Sequence, residues 1–88
     1  MKVKTITLEG ETGFKAIISR EVPSQGPECI FSEIIDNNGD RIAIHHVMPD
    51  DKDDQFSLAE CIQFQLDGCR GTNSMIHDYM DYIKLFAD

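Results

Sequence analysis

The chain lacks tryptophan, has only three prolines, and carries eight basic residues against sixteen acidic ones. Each shortage excludes something. No apolar run approaches the roughly 18–20 residues that a membrane helix needs. With so few lysines and arginines there is no basic patch to hold DNA or RNA directly, and a surface of net charge −8 repels nucleic acid and anionic membrane alike. No C-x-x-C or H-x₃-H spacing is present, so a zinc site has no ligand frame. The glycine-rich phosphate loops and the G-x-S-x-G nucleophile context are absent too.

The basic start Met1-Lys2-Val3-Lys4 leads into Thr5-Ile6-Thr7-Leu8-Glu9-Gly10, which is no signal-peptide core, and a cytoplasmic location is expected. The three cysteines, Cys29, Cys61 and Cys69, are an odd number. On one helix Cys61 and Cys69 would stand about 12 Å apart, beyond the roughly 7 Å that a disulfide spans. Reduced thiols acting as small buried hydrophobes are expected.

What is present suits one globular domain over residues 1–88, with 41% hydrophobic and 27% charged residues. The expected fold is α+β: a four-stranded antiparallel β-sheet made of two hairpins, followed by two C-terminal helices on one face. Residues 1–48 supply the sheet. β-Branched Val3, Thr5, Ile6 and Thr7 mark a strand over Val3–Leu8, and Gly10 and Gly13 supply its turn. Phe14–Val22 alternates as a second strand until Pro23 and Pro27 end it. Cys29–Ile35 is apolar on both faces, as a central strand should be. Asn38-Gly39 then joins it to Arg41–Met48 as a hairpin, because both turn residues tolerate positive φ.

Residues 49–56 read as an acidic linker, since Asp50, Asp51, Asp53 and Asp54 repel one another. Residues 57–88 read as the helical part. Ser57 and Glu60 have the spacing of a capping box, with Phe56 as its staple on Cys61. Leu58, Cys61, Ile62 and Leu66 form an apolar stripe, Glu60, Gln63 and Asp67 lie opposite, and Phe64 falls on the polar flank. Gly68 and Gly71 bracket the end of this helix. Asn73 or Ser74 caps a second helix over Met75–Phe86, with pairs His77/Asp81 and Asp81/Lys84 on its surface.

Candidate chemistry is thin. His45 and His46 are adjacent, so a strand turns them to opposite faces and away from a shared metal. Asp36-Asn37-Asn38-Gly39-Asp40 resembles the front of a calcium loop but lacks its closing glutamate, since His45 stands there, and a hairpin turn explains it better. No cofactor, metal or catalytic residue is therefore expected.

Charge carries the functional reading. Residues 49–88 hold nine acids and three bases, net −6, against −2 for residues 1–48. A small, non-enzymatic binding protein is expected, an inhibitor or immunity-type protein. It would occupy a basic, nucleic-acid-binding surface of a protein partner by charge mimicry. Phage anti-defence proteins work this way as a class, and a phage or bacterial accessory role fits. The contact residues would be Asp50, Asp51, Asp53, Asp54, Glu60, Asp67, Asp78 and Asp81, with Phe64 as apolar anchor.

Two rival readings stand beside it. One is a structural or assembly subunit, or a homodimer, using an open sheet face of Ile17, Phe31, Ile35, Ala43 and Val47, or a free strand edge. The other is a small enzyme with a Cys/His site at Cys29 and His45.

Overall fold

A computed structural model of the chain describes residues 2–68 and 73–87. The element order is β1 (Lys2–Glu9), β2 (Lys15–Glu21), β3 (Cys29–Ile35), β4 (Arg41–Val47), α1 (Lys52–Asp67) and α2 (Asn73–Lys84). The strands pair in chain order, β1-β2-β3-β4, every pair antiparallel. This is the expected β-β-β-β-α-α fold, with strand ends within a residue or so of the sequence reading.

Register decides which side chains lie under the helices. Ala16 pairs with Ile34 and Arg20 with Ile30 across β2 and β3, Ile6 pairs with Ile18, and Ile30 pairs with Val47. Opposite residues in an antiparallel ladder share a face. Ile6, Leu8, Ala16, Ile18, Ile30, Ile34, Ala43 and Val47 thus form one side. There they join a single core with Leu58, Ala59, Ile62 and Leu66 of α1, Met80 and Ile83 of α2, and Phe86.

Ala43 and Val47 therefore belong to the covered face and not, as expected, to the open one. Both faces of β4 are apolar, so alternation within that strand could not choose between them; pairing with Ile34 and Ile30 does. Ile42 and Ile44 point away from the core and are 47% and 42% exposed. On the same uncovered face Phe31 is buried, its ring meeting that of His46 edge-on at 5.0 Å between centroids.

The acidic stretch is mostly helix. α1 begins at Lys52, and its N-cap is Asp51, whose Oδ1 accepts from the Asp54 N–H at 3.0 Å. Reading residues 49–56 as a linker weighed the mutual repulsion of the aspartates and missed their fit to a helix start. An aspartate is a good N-cap, and Asp53 and Asp54 in the first turn face the positive end of the dipole. Ser57 is mid-helix and exposed, so the Ser57–Glu60 box and the Phe56 staple do not form. Gln55 is buried, and its Nε2 donates to the Pro49 carbonyl at 2.8 Å, tying the connection from β4. Gln63, expected on the polar side, is also fully buried.

At its other end α1 stops at Gly68, left-handed at φ 69°, whose N–H donates to the Phe64 carbonyl at 2.9 Å. The β1–β2 turn completes this terminus. Thr12 donates from its N–H to Leu66 O at 2.9 Å and from Oγ1 to Gln65 O at 2.8 Å, satisfying carbonyls that have no partner within the helix. Gly10 makes the approach possible: a Cβ there would lie 2.3 Å from the Leu66 oxygen.

The expected stop at Gly71, the side-chain caps at Asn73 or Ser74, the His77/Asp81 pair and Cys69 lie outside the described residues or side chains. α2 ends at Lys84, and Phe86 follows in a turn with its side chain still in the core.

Two stability outcomes follow from these contacts. Asp51→Ala is expected to cost about 1 kcal/mol, while Ser57→Ala stays within about 0.5 kcal/mol; denaturant titration separates a cap at Asp51 from one at Ser57. Gly10→Ala is expected to destabilise by about 1–3 kcal/mol through the clash with Leu66, read as a lowered thermal midpoint.

Candidate functional site

The acids of the helical layer fall into two groups. Asp51 caps α1. Asp67 joins three segments: its Oδ2 accepts from the Tyr79 hydroxyl of α2, and its Oδ1 accepts from the Glu11 N–H of the β1–β2 turn at 3.4 Å. These two carboxylates hold structure. Asp50, Asp53, Asp54, Glu60, Asp78 and Asp81 are exposed, and among the described residues their carboxylates meet no ion-pair or hydrogen-bond partner. The expected Asp81/Lys84 pair does not form; both side chains are exposed and screened by water.

Helical geometry gathers part of the second group. Asp53, Phe56, Glu60 and Phe64 follow one another at spacings of three and four residues, so they line the outer face of α1. Phe56 and Phe64 are 40% and 42% exposed. The sequence reading found Phe64 but assigned Phe56 to a staple; the i, i+4 relation of Phe56 to Glu60, and of Glu60 to Phe64, is the signal that would have placed it. This surface is an acidic stripe with an aromatic ring on either flank of Glu60. A separate cleft of about 490 Å³ is lined by Pro49, Asp50, Lys52, Gln55, Met80, Lys84 and Ala87, so two lysines stand beside Asp50 there.

The Cys/His pairing takes a different form from the one expected. Ser32, not Cys29, is the cross-strand neighbour of His45, and Cys29 lies on the uncovered face while His45 lies on the covered one. The thiol that does meet His45 is Cys61 of α1, with Sγ 3.7 Å from Nε2. Burial pushes the Cys61 thiol up and the His45 imidazole down, the latter helped by the neighbouring His46. Both groups are thereby held neutral near pH 7, the opposite of a thiolate–imidazolium nucleophile. Cys29 is also pushed up, by burial and then by Glu21 against the opposing influence of Arg20.

Among the described residues no three His, Cys, Asp or Glu side chains come together as a metal cluster. In the Asp36–Asp40 turn, Asp36 Oδ1 accepts from the N–H groups of Asn38 and Asp40, both at 2.9 Å, with Gly39 at φ 86°. The oxygen that a calcium loop would offer its ion closes the hairpin instead. Among the described residues no helix is long and apolar enough to cross a membrane.

No family model, no curated protein and no solved structure matches this chain. What the surface can do is therefore set by its own geometry.

His45 gives a pH-dependent outcome. Its folded-state value lies below the ordinary 6.5, so below that pH the unfolded chain binds a proton that the folded chain still refuses. The stability from neutral His45 is complete above about pH 6.5 and is lost as pH falls towards the folded value. Thermal melts across this window should show a flatter acid-side decline for His45→Gln than for the wild type.

Proposed function

We propose that the chain is a small, non-enzymatic acidic binding protein that occupies a basic, nucleic-acid-binding surface on a protein partner. The observation that supports this reading is a set of six exposed carboxylates on the helical layer that meet no partner among the described residues: Asp50, Asp53, Asp54, Glu60, Asp78 and Asp81. Acids placed for solubility alone need no scaffold, whereas four of these stand on α1 or at its start and two on α2, held by a packed core. Rigid elements fix the spacing of charges, and fixed charges can match a basic surface that normally holds phosphates.

Phe56 and Phe64 add what charge alone cannot. Aromatic anchors seated in partner pockets supply slow dissociation, while the surrounding acids steer the encounter. Asp51 and Asp67, counted among the contact acids from sequence, act in this reading by holding α1 and the turn in place. An inhibitor or immunity-type role follows, since covering a basic surface with negative charge excludes the nucleic acid that belongs there.

Affinity capture of a basic partner, followed by binding measurements on the purified pair, tests this. Binding should weaken steeply as salt rises, and the combined variant Asp50→Asn, Asp53→Asn, Asp54→Asn, Glu60→Gln should lose at least about tenfold in affinity, or about 1.4 kcal/mol. Binding indifferent both to salt and to these amides would overturn the proposal.

A further inference from the structure

The cleft of about 490 Å³ at the start of α1 collects polar groups of both signs around an apolar lining. Three segments wall it. The connection from β4 supplies Pro49 and Asp50, and the first turns of α1 supply Lys52 and Gln55. The end of α2 and the turn after it supply Met80, Lys84 and Ala87. Pro49 and Met80 are buried, so the wall between the charged groups is apolar. Its volume is that of a small-molecule pocket, for which about 300–1,000 Å³ is usual.

Gln55 is the polar group built into this cleft. It is 3% exposed, and its Nε2 donates to the Pro49 carbonyl at 2.8 Å and to the Met48 carbonyl at 3.3 Å. Only the NH₂ end of an amide can donate to two carbonyls, so these bonds fix which way the side chain is turned. Its Oε1 accepts from no described residue. That oxygen is not sealed inside the protein as those of Ser19 and Ser32 are, and it opens on the cleft that Gln55 lines. Asp50, Lys52 and Lys84 are exposed, and none meets an ion-pair partner among the described residues. Two ammonium groups against one carboxylate give the cleft a positive balance on a chain of net charge −8.

We propose that this cleft binds a zwitterionic small molecule of the amino-acid class, with an apolar side chain. The ligand's carboxylate lies with Lys52 and Lys84, its ammonium group donates to Gln55 Oε1 and Asp50, and its side chain packs on Met80, Pro49 and Ala87. The set of groups decides the class. A plain anion would suit the lysines but face Asp50 and leave Gln55 Oε1 without a donor. A plain cation would suit Asp50 and Gln55 but face two ammonium groups. A dipolar ligand answers all four through charge-assisted hydrogen bonds at both ends. Asp50 is shared with the binding role proposed above, but Lys52, Gln55 and Lys84 are not, so the two readings stand or fall separately.

Nuclear magnetic resonance titration of the full chain with L-leucine, L-methionine and L-phenylalanine at millimolar concentration tests it. At least one should give saturable shifts of the Gln55 side-chain amide and of the backbone amides from Asp50 to Gln55. Two truncated probes then separate the ends: leucinamide, which lacks the carboxylate, and isocaproate, which lacks the ammonium group. Each should bind at least about tenfold more weakly than leucine, as the loss of one charged hydrogen-bonding end implies. Lys84→Gln should weaken leucine and isocaproate but not leucinamide, and Asp50→Asn should weaken leucine and leucinamide but not isocaproate. Both substitutions are at exposed positions and should leave circular dichroism unchanged. Glu60→Gln, on the outer face of α1, should bind leucine as the wild type does. No saturable shift with any of the three amino acids, or isocaproate or leucinamide binding as well as leucine, overturns the proposal.

Discussion

Ile18, Ile30 and Ile34 on the sheet meet Leu58, Ile62, Leu66 and Ile83 on the helices in one fully or nearly buried layer, and the rest of the molecule is arranged by that contact. A chain of 88 residues has enough apolar side chains for one such layer and no second. One sheet face is covered and the other is left to its own side chains, which is why Phe31 shelters against His46 and not under a helix. Once α1 and α2 bury their apolar sides, nearly all of their described charged residues lie exposed to water. The acid excess of residues 49–88 becomes a property of one surface.

That surface is not uniformly available. Helix physics engages some of its carboxylates: Asp51 as the cap, Asp53 and Asp54 beside the positive helix end, Asp67 as the bridge from α1 to Tyr79 and to the β1–β2 turn. Glu60, Asp78 and Asp81 lie beyond the first turn of their helices and bond to nothing in the described structure. Asp81 stands in the closing turns of α2, where the helix dipole disfavours a negative charge. These carboxylates, which the fold does not use, are the ones on which the proposed binding role rests.

The fold class was legible in the sequence because each strand is bounded by its own turn chemistry. Asn38-Gly39 fixes one hairpin, Gly10 and Gly13 the other, and Pro23 and Pro27 separate them. The faces of β4 were not legible: Ile42 and Ile44 compete with Ala43 and Val47 on hydrophobicity alone, and only pairing with β3 decides. The start of α1 was misplaced because Ser57–Glu60 and Asp51–Asp54 both have the spacing of a capping side chain and the residue three on whose N–H it accepts, and a charged run looks like a linker. The buried Gln55 and Gln63 deepen the ambiguity, since they blur the apolar stripe that would have extended the helix backwards. As for the site, the acids were legible as a cluster, but their division into structural and unengaged groups needed the contacts of Tyr79 and Glu11. The meeting of His45 with Cys61 in place of Cys29 depends on how α1 crosses the sheet, which no local pattern records.

The central claim is that the outward acids of the helical layer serve a partner and not the fold. Thermal unfolding of the combined variant Glu60→Gln, Asp78→Asn, Asp81→Asn at low salt tests it most directly, because these substitutions keep size and shape and remove only charge. A midpoint equal to or above that of the wild type is predicted, since mutual repulsion is relieved and no native contact is lost. A clear fall in the midpoint would show that these carboxylates hold the structure together, and would contradict it.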